Sequence, residues 1–142
     1  MSAPVTYEKG NLTSEEALME AATQYCRLGE ARLHNGMQGV YIRKKNLILL
    51  DSRLCSVQRR CVLAHEISHA RHLDEGCRVD KWVERRADRE AAGMLIDPME
   101  YAYAETVYEG NLVGMARELN VLPWIVDAYR ERLHDDPTLV MQ

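Results

Sequence analysis

Cys61-Val62-Leu63-Ala64-His65-Glu66-Ile67-Ser68-His69-Ala70 is the stretch whose reading decides the rest of this chain. Leu63, Ile67 and Ala70 recur at helical spacing, which predicts a helix over 57–73 capped by Ser56. His65, Glu66 and His69 fall away from that stripe. Residues four apart on a helix differ by about 40° around its axis and lie one turn apart along it. The two imidazoles can therefore converge on one ion, and neutral imidazole is a favoured ligand for zinc. Glu66, next to the first histidine, is placed to accept a proton from a water at the ion's open position. His-Glu-x-x-His thus supplies two ligands and a base and lacks a third ligand.

Outward from the motif, composition sets the frame. The chain has 142 residues, 46% hydrophobic and 28% charged, which is the balance of one globular domain. A net charge of -4 argues against a general nucleic-acid binder. No run of about 18 apolar residues is present to span a membrane, and residues 1–12 read as a mobile start without a secretory core. These features point to the cytoplasm, where thiols stay reduced. Cys26, Cys55, Cys61 and Cys77 have no C-x-x-C spacing, so they read as free thiols rather than a zinc ribbon.

Upstream, Thr13-Ser14-Glu15-Glu16 reads as a capping box with Thr13 as N-cap. The helix after it carries Leu18, Ala21, Ala22, Tyr25 and Leu28 on one face, and Gly29 reads as its stop. Asn35-Gly36 is a hairpin signal between 31–34 and the strand 39–43, and Lys44-Lys45-Asn46 turns into the strand 47–51. The expectation is an antiparallel sheet of about three strands, with the uniformly apolar 47–50 run in its centre. The fold class expected is α+β, the sheet packing on a helical zincin-like core.

Downstream, a second helix is predicted over 80–96, with Val83, Ala87, Ala91, Met94 and Leu95 as its apolar stripe. Glu84 and Asp88 flank that stripe one turn apart. Glu84 can complete a His2Glu set, and Asp88 can accept a histidine N–H. The same two residues read equally as a solvated face paired with Arg85, Arg86 and Arg89. His72 and Cys77 are rival ligands. The metzincin continuation fails, because His72 stands at its glycine and Glu75 at its third histidine.

The order of strand pair, His65-Glu66-Ile67-Ser68-His69-Ala70 and then Glu84-Arg85-Arg86-Ala87-Asp88-Arg89-Glu90-Ala91-Ala92-Gly93-Met94-Leu95-Ile96-Asp97-Pro98 resembles the ImmA/IrrE family of metallo-endopeptidases. The likeness spans roughly residues 39–133. It implies that His65, His69 and Glu84 bind Zn2+, that Glu66 is the catalytic base and that Asp88 supports a ligand. It also implies a substrate, a helix-turn-helix repressor whose cleavage releases a phage, mobile-element or stress regulon. The sequence departs from the family at Arg89-Glu90, where an aromatic residue often stands.

Beyond the core, over 13–108, Asp97-Pro98-Met99-Glu100 predicts another capped helix carrying Tyr101, Tyr103 and Tyr108, none of which is read as catalytic. Residues 109–135 read as a helical segment packed on the core, with a turn at Asn120-Val121 and a helix opened by Pro123, and 136–142 as a flexible tail. As a helix-turn-helix, its second helix would present Trp124, Asp127, Arg130 and Glu131. Over 111–135 three arginines meet four carboxylates, the wrong sign for phosphate. Direct DNA binding is therefore disfavoured. The alternative function is a non-catalytic module that holds a partner repressor or DNA through these helices.

Overall fold

The computed structural model describes residues 14–75 and 80–136. Helix α1 (Glu15–Thr23) begins one residue later than the sequence predicts. Ser14 is its N-cap and accepts the Ala17 N–H at 3.1 Å; Thr13 lies outside the described residues. Glu15 and Glu16 then sit in the first turn, where carboxylates favour the helix dipole.

The predicted continuation of this helix to Leu28 does not occur. Residues Arg27–Ala31 form strand β1 instead, with Leu28 opposite Ile48 and Gly29 opposite Leu49. A Cβ on Gly29 would stand 3.2 Å from Leu49 Cδ2, so the glycine is used for close packing and not as a helix stop. Ladder pairing here overrides the local helical spacing.

Strands β2 (Gly39–Ile42) and β3 (Leu47–Asp51) complete a sheet ordered β1-β3-β2. The β2–β3 pair is antiparallel, as expected, but β1 and β3 run parallel. The sheet is mixed, which corrects the all-antiparallel expectation. Asn35-Gly36 does turn the chain, with both residues at positive φ (60° and 71°). The strands on either side of it are nevertheless not partners, because β3 lies between them. An apolar run such as 47–50 is best covered by a neighbour on each edge, and β3 takes the central place predicted for it.

Helix α2 (Ser56–Arg71) carries the motif. Cys55, not Ser56, is its N-cap residue, and its backbone N–H donates to Gln58 Oε1 at 2.9 Å. Leu63, Ile67 and Ala70 are buried as expected. So are Cys61, Val62, Ala64, Glu66 and Ser68, because α1, the sheet and helix α3 (Lys81–Leu95) surround α2. β2 presses on α2 at Gly39, where a Cβ would stand 2.6 Å from Val62 Cγ1 and 3.3 Å from Glu66 Cγ. Gly39→Ala should therefore lower the free energy of unfolding by about 1–3 kcal/mol, the usual cost of overfilling a packed contact. A urea titration with an unchanged midpoint and slope would contradict this.

Three helices follow: α4 (Pro98–Tyr108), α5 (Leu112–Leu119) and α6 (Pro123–Asp135). Asp97 caps α4 through the N–H groups of Met99 and Glu100, as its sequence predicts. Asn120 ends α5 in a left-handed conformation. The turn after it is fastened to α2: Arg60, buried, donates to the Asn120 carbonyl, and the Leu122 N–H donates to Cys61 Sγ at 3.4 Å. α6 then lies along α3. Arg89 pairs with Glu131 and Asp135, and Arg132 donates to the Arg89 carbonyl at 3.1 Å. The C-terminal helices thus rest on the core, with α6 engaged along α3. No helix among the described residues is long and apolar enough to cross a membrane.

Candidate metal centre

One turn of α2 brings the Nε2 atoms of His65 and His69 to 3.1 Å from each other. Asp80 starts α3 by accepting the N–H groups of Trp82 and Val83, which sets Glu84 in the first turn of a helix packed beside α2. Glu84 Oε2 lies 2.6 Å from His69 Nε2 and 3.5 Å from His65 Nε2. His65, His69 and Glu84 form a group that could hold a metal ion. Two donors bound at roughly 2.0–2.1 Å to a tetrahedral ion stand about 3.3 Å apart, and the three observed separations straddle that value. The circle through the three atoms has a radius of about 1.8 Å, so a point at bonding distance from all of them exists.

The ring nitrogens facing away from this point are held by carboxylates. His65 Nδ1 is 2.8 Å from Asp88 Oδ1, and His69 Nδ1 is 2.8 Å from Asp74 Oδ2. A proton on each Nδ1 leaves each Nε2 lone pair for an ion and fixes the ring planes. Asp88 therefore stands where the sequence places it. Asp74 was not anticipated. It is brought back to the end of α2 by Leu73, whose φ of 54° is left-handed, and by its own N–H bond to the His69 carbonyl at 3.0 Å. A glycine usually marks such a helix end, and Leu73 hides the signal. Arg86 in turn holds Asp74. Asp74→Asn should weaken metal affinity about 10–100-fold with little change in fold, measured by competition with a chelating dye. An unaltered affinity would remove Asp74 from the site.

Around the triad, Glu66, Asp74 and Asp88 gather negative charge that favours a divalent cation. Burial opposes a charge on the His65 ring. Hydrogen bonds to Asp88 and Glu84 and the charge of Glu66 outweigh it, raising the pKa to about 9. Without metal the ring keeps its proton at neutral pH, and an incoming ion must displace it.

Glu66 is 3% exposed, and its Oε2 is 3.9 Å from His65 Nε2. Although it falls away from the apolar stripe of α2, β2 covers it at Gly39. It nonetheless lines a cleft of about 210 Å³ together with His65, Asp88, Val62, residues 36–39 and Trp124. Trp124 meets His65 edge-on, with ring centroids 6.0 Å apart. A helix-turn-helix would present Trp124 to DNA; here it lines the cleft, and no local pattern in the sequence marks it as a cleft residue.

His72 is not in the triad: its Nε2 lies 2.9 Å from Glu90 Oε2. Ser68 Oγ donates to the same carboxylate at 2.6 Å. Glu90, at the position where the sequence departs from the family resemblance, thus ties α2 to α3 by polar contacts. Cys77 lies outside the described residues. Burial pushes the thiols of Cys26 and Cys61 up to about 11, which leaves them inert. Tyr101 packs on Tyr129 and Tyr108 reaches Glu118, so neither faces the cleft. A larger hollow of about 590 Å³ lies between α3 and α6, but its Arg86 and Arg89 are paired with Asp74, Glu131 and Asp135.

No family model, curated protein or solved structure matches this chain.

Proposed function

We propose that this chain is a zinc-dependent endopeptidase of the ImmA/IrrE kind, and that its substrate is a helix-turn-helix repressor. The observation that carries the reading is one carboxylate, Glu66, beside a His2Glu group: its Oε2 lies 3.9 Å from His65 Nε2, and it lines a cleft with His65. His65, His69 and Glu84 would hold the zinc, a ligand set that leaves a coordination position for water or substrate. Bound zinc would supply Lewis acidity, lowering the pKa of water and polarising a carbonyl. Glu66 takes the proton of the attacking water on its carboxylate and returns it to the leaving amine. Asp88 and Asp74 keep both imidazoles in the tautomer that ligates. Buried Cys26 and Cys61 fit a reducing compartment, so a cytoplasmic setting belongs to the same proposal.

The test is direct. Zinc-loaded protein is incubated with a repressor encoded beside its gene, with and without a chelator. Two fragments in the zinc lane only are expected. An intact repressor retained in a stable complex in both lanes would replace this reading with that of a binding module.

A further inference from the structure

We infer that the outer face of α4, with the edge of α5 beside it, docks a basic amphipathic helix of a partner protein. Four of the seven large hydrophobic side chains exposed among the described residues lie on these two helices. Met99, Tyr103 and Val107 follow one another at four-residue steps and are 76%, 61% and 49% exposed. Steps of four drift only about 40° around a helix, so the three make one stripe. It lies opposite Tyr101 and Ala104, the side chains that α4 buries. Scattered apolar side chains are normal on a surface, but a stripe along one helix is the pattern by which a helix meets another helix. Its N-terminal end opens on a groove of about 300 Å³ lined by Met99, Tyr103 and Leu119 with Glu100 and Glu118, a seat for an anchoring side chain.

Charge names the occupant. Residues 97–120 hold five carboxylates and one arginine, a balance of -4 that equals the net charge of the whole chain. Glu100 flanks the stripe on α4, and Glu118 joins it from α5. Among the described residues no lysine or arginine forms an ion pair with Glu100, Glu105, Glu109 or Glu118, whereas arginines elsewhere pair with Glu15, Asp51, Asp74 and Glu131. A second copy of this chain would bring the same sign against itself, and nucleic acid or anionic lipid would be repelled likewise. A helix with apolar residues along one side and lysines or arginines around them satisfies both the stripe and its rim. DNA-binding proteins present basic surfaces of this kind to phosphate, so the class of partner proposed above meets the requirement.

The groove shares no residue with the cleft beside His65. Glu84 sits in the first turn of α3, eleven residues or about 16 Å of helix from Leu95 at its end, and the stripe begins beyond that end at Met99. A partner held here leaves the candidate metal centre uncovered, and the inference stands whether or not the chain cuts what it holds.

The probes are a labelled amphipathic helix of leucine and lysine, about 18 residues long so that it holds helical structure, and its counterpart with every lysine replaced by glutamate. Dissociation constants are read by fluorescence anisotropy on the full chain with chelator present, so no cleavage intervenes. The basic peptide should bind about 10-fold more tightly than the acidic one or better, and added salt should narrow the gap. Met99→Ser combined with Tyr103→Ser should weaken the basic peptide about 10-fold, the loss typical of interface anchors. Glu100→Lys should slow its association. Trp82→Ser, at an exposed apolar side chain on α3, should change neither. Both serine substitutions fall on exposed side chains, so an unchanged melting temperature separates lost docking from a lost fold. Equal binding of the two peptides, or binding of neither, overturns the inference. So does a double variant that binds like the unaltered chain, or a Trp82→Ser variant that loses as much. A chain that sediments as a dimer and becomes a monomer in the double variant would assign the face to a second copy and overturn it too. Binding of the basic peptide by a chain that cuts no protein upholds this inference and removes the peptidase reading alone.

Discussion

Glu66→Gln should keep the metal and lose about 100- to 10,000-fold in cleavage rate, the range contributed by a positioned general base. Glutamine preserves the length and branching of the side chain, so its Cγ can still fit beneath Gly39. What changes is chemistry: an amide has no basic oxygen to hold the proton. Because Glu66 lies outside the ligand triad, zinc content should stay at the unaltered level. Elemental analysis and initial rates on one preparation separate the two effects. A variant within tenfold of the original rate would show that another group accepts the proton.

Glu84→Ala should fall hardest on the metal itself. It removes the one carboxylate in the triad and leaves two imidazoles with no third donor grouped with them among the described residues. His72 cannot move in without leaving Glu90, and Asp88 is bound to the far nitrogen of His65. The loss of affinity should exceed the roughly 10–100-fold expected of an outer-shell partner. At one equivalent of zinc the variant should come off a desalting column largely metal-free. Since binding stabilises only the folded form, its melting temperature should no longer rise on adding stoichiometric zinc. Full retention of one zinc per chain would show that Glu84 is not a ligand.

The elements whose signals are local were legible in the sequence. Apolar stripes at helical spacing gave α2, α3, α5 and α6, and Asp97-Pro98 marked the start of α4. The group that could hold an ion was legible because a helix fixes the spacing of His65 and His69, and Glu84 lies in the first turn of the next helix. What escaped depends on distant pairing. Leu28 and Gly29 look helical until β3 is beside them. Asn35-Gly36 looks like a hairpin until β3 takes the place between the strands it links. Asp74 reaches His69 only through a left-handed leucine, and Trp124 reaches His65 only after two helices have folded back.

The fastening of the α5–α6 turn to Arg60 and Cys61 has a consequence for biosynthesis. His65, His69 and Glu84 all lie by residue 84, yet the ring that meets His65 edge-on arrives 40 positions later, at Trp124. Any product terminated ahead of that tryptophan would keep the three residues that could hold an ion and lose Ile125, Val126 and Tyr129 from the core on which their helices rest.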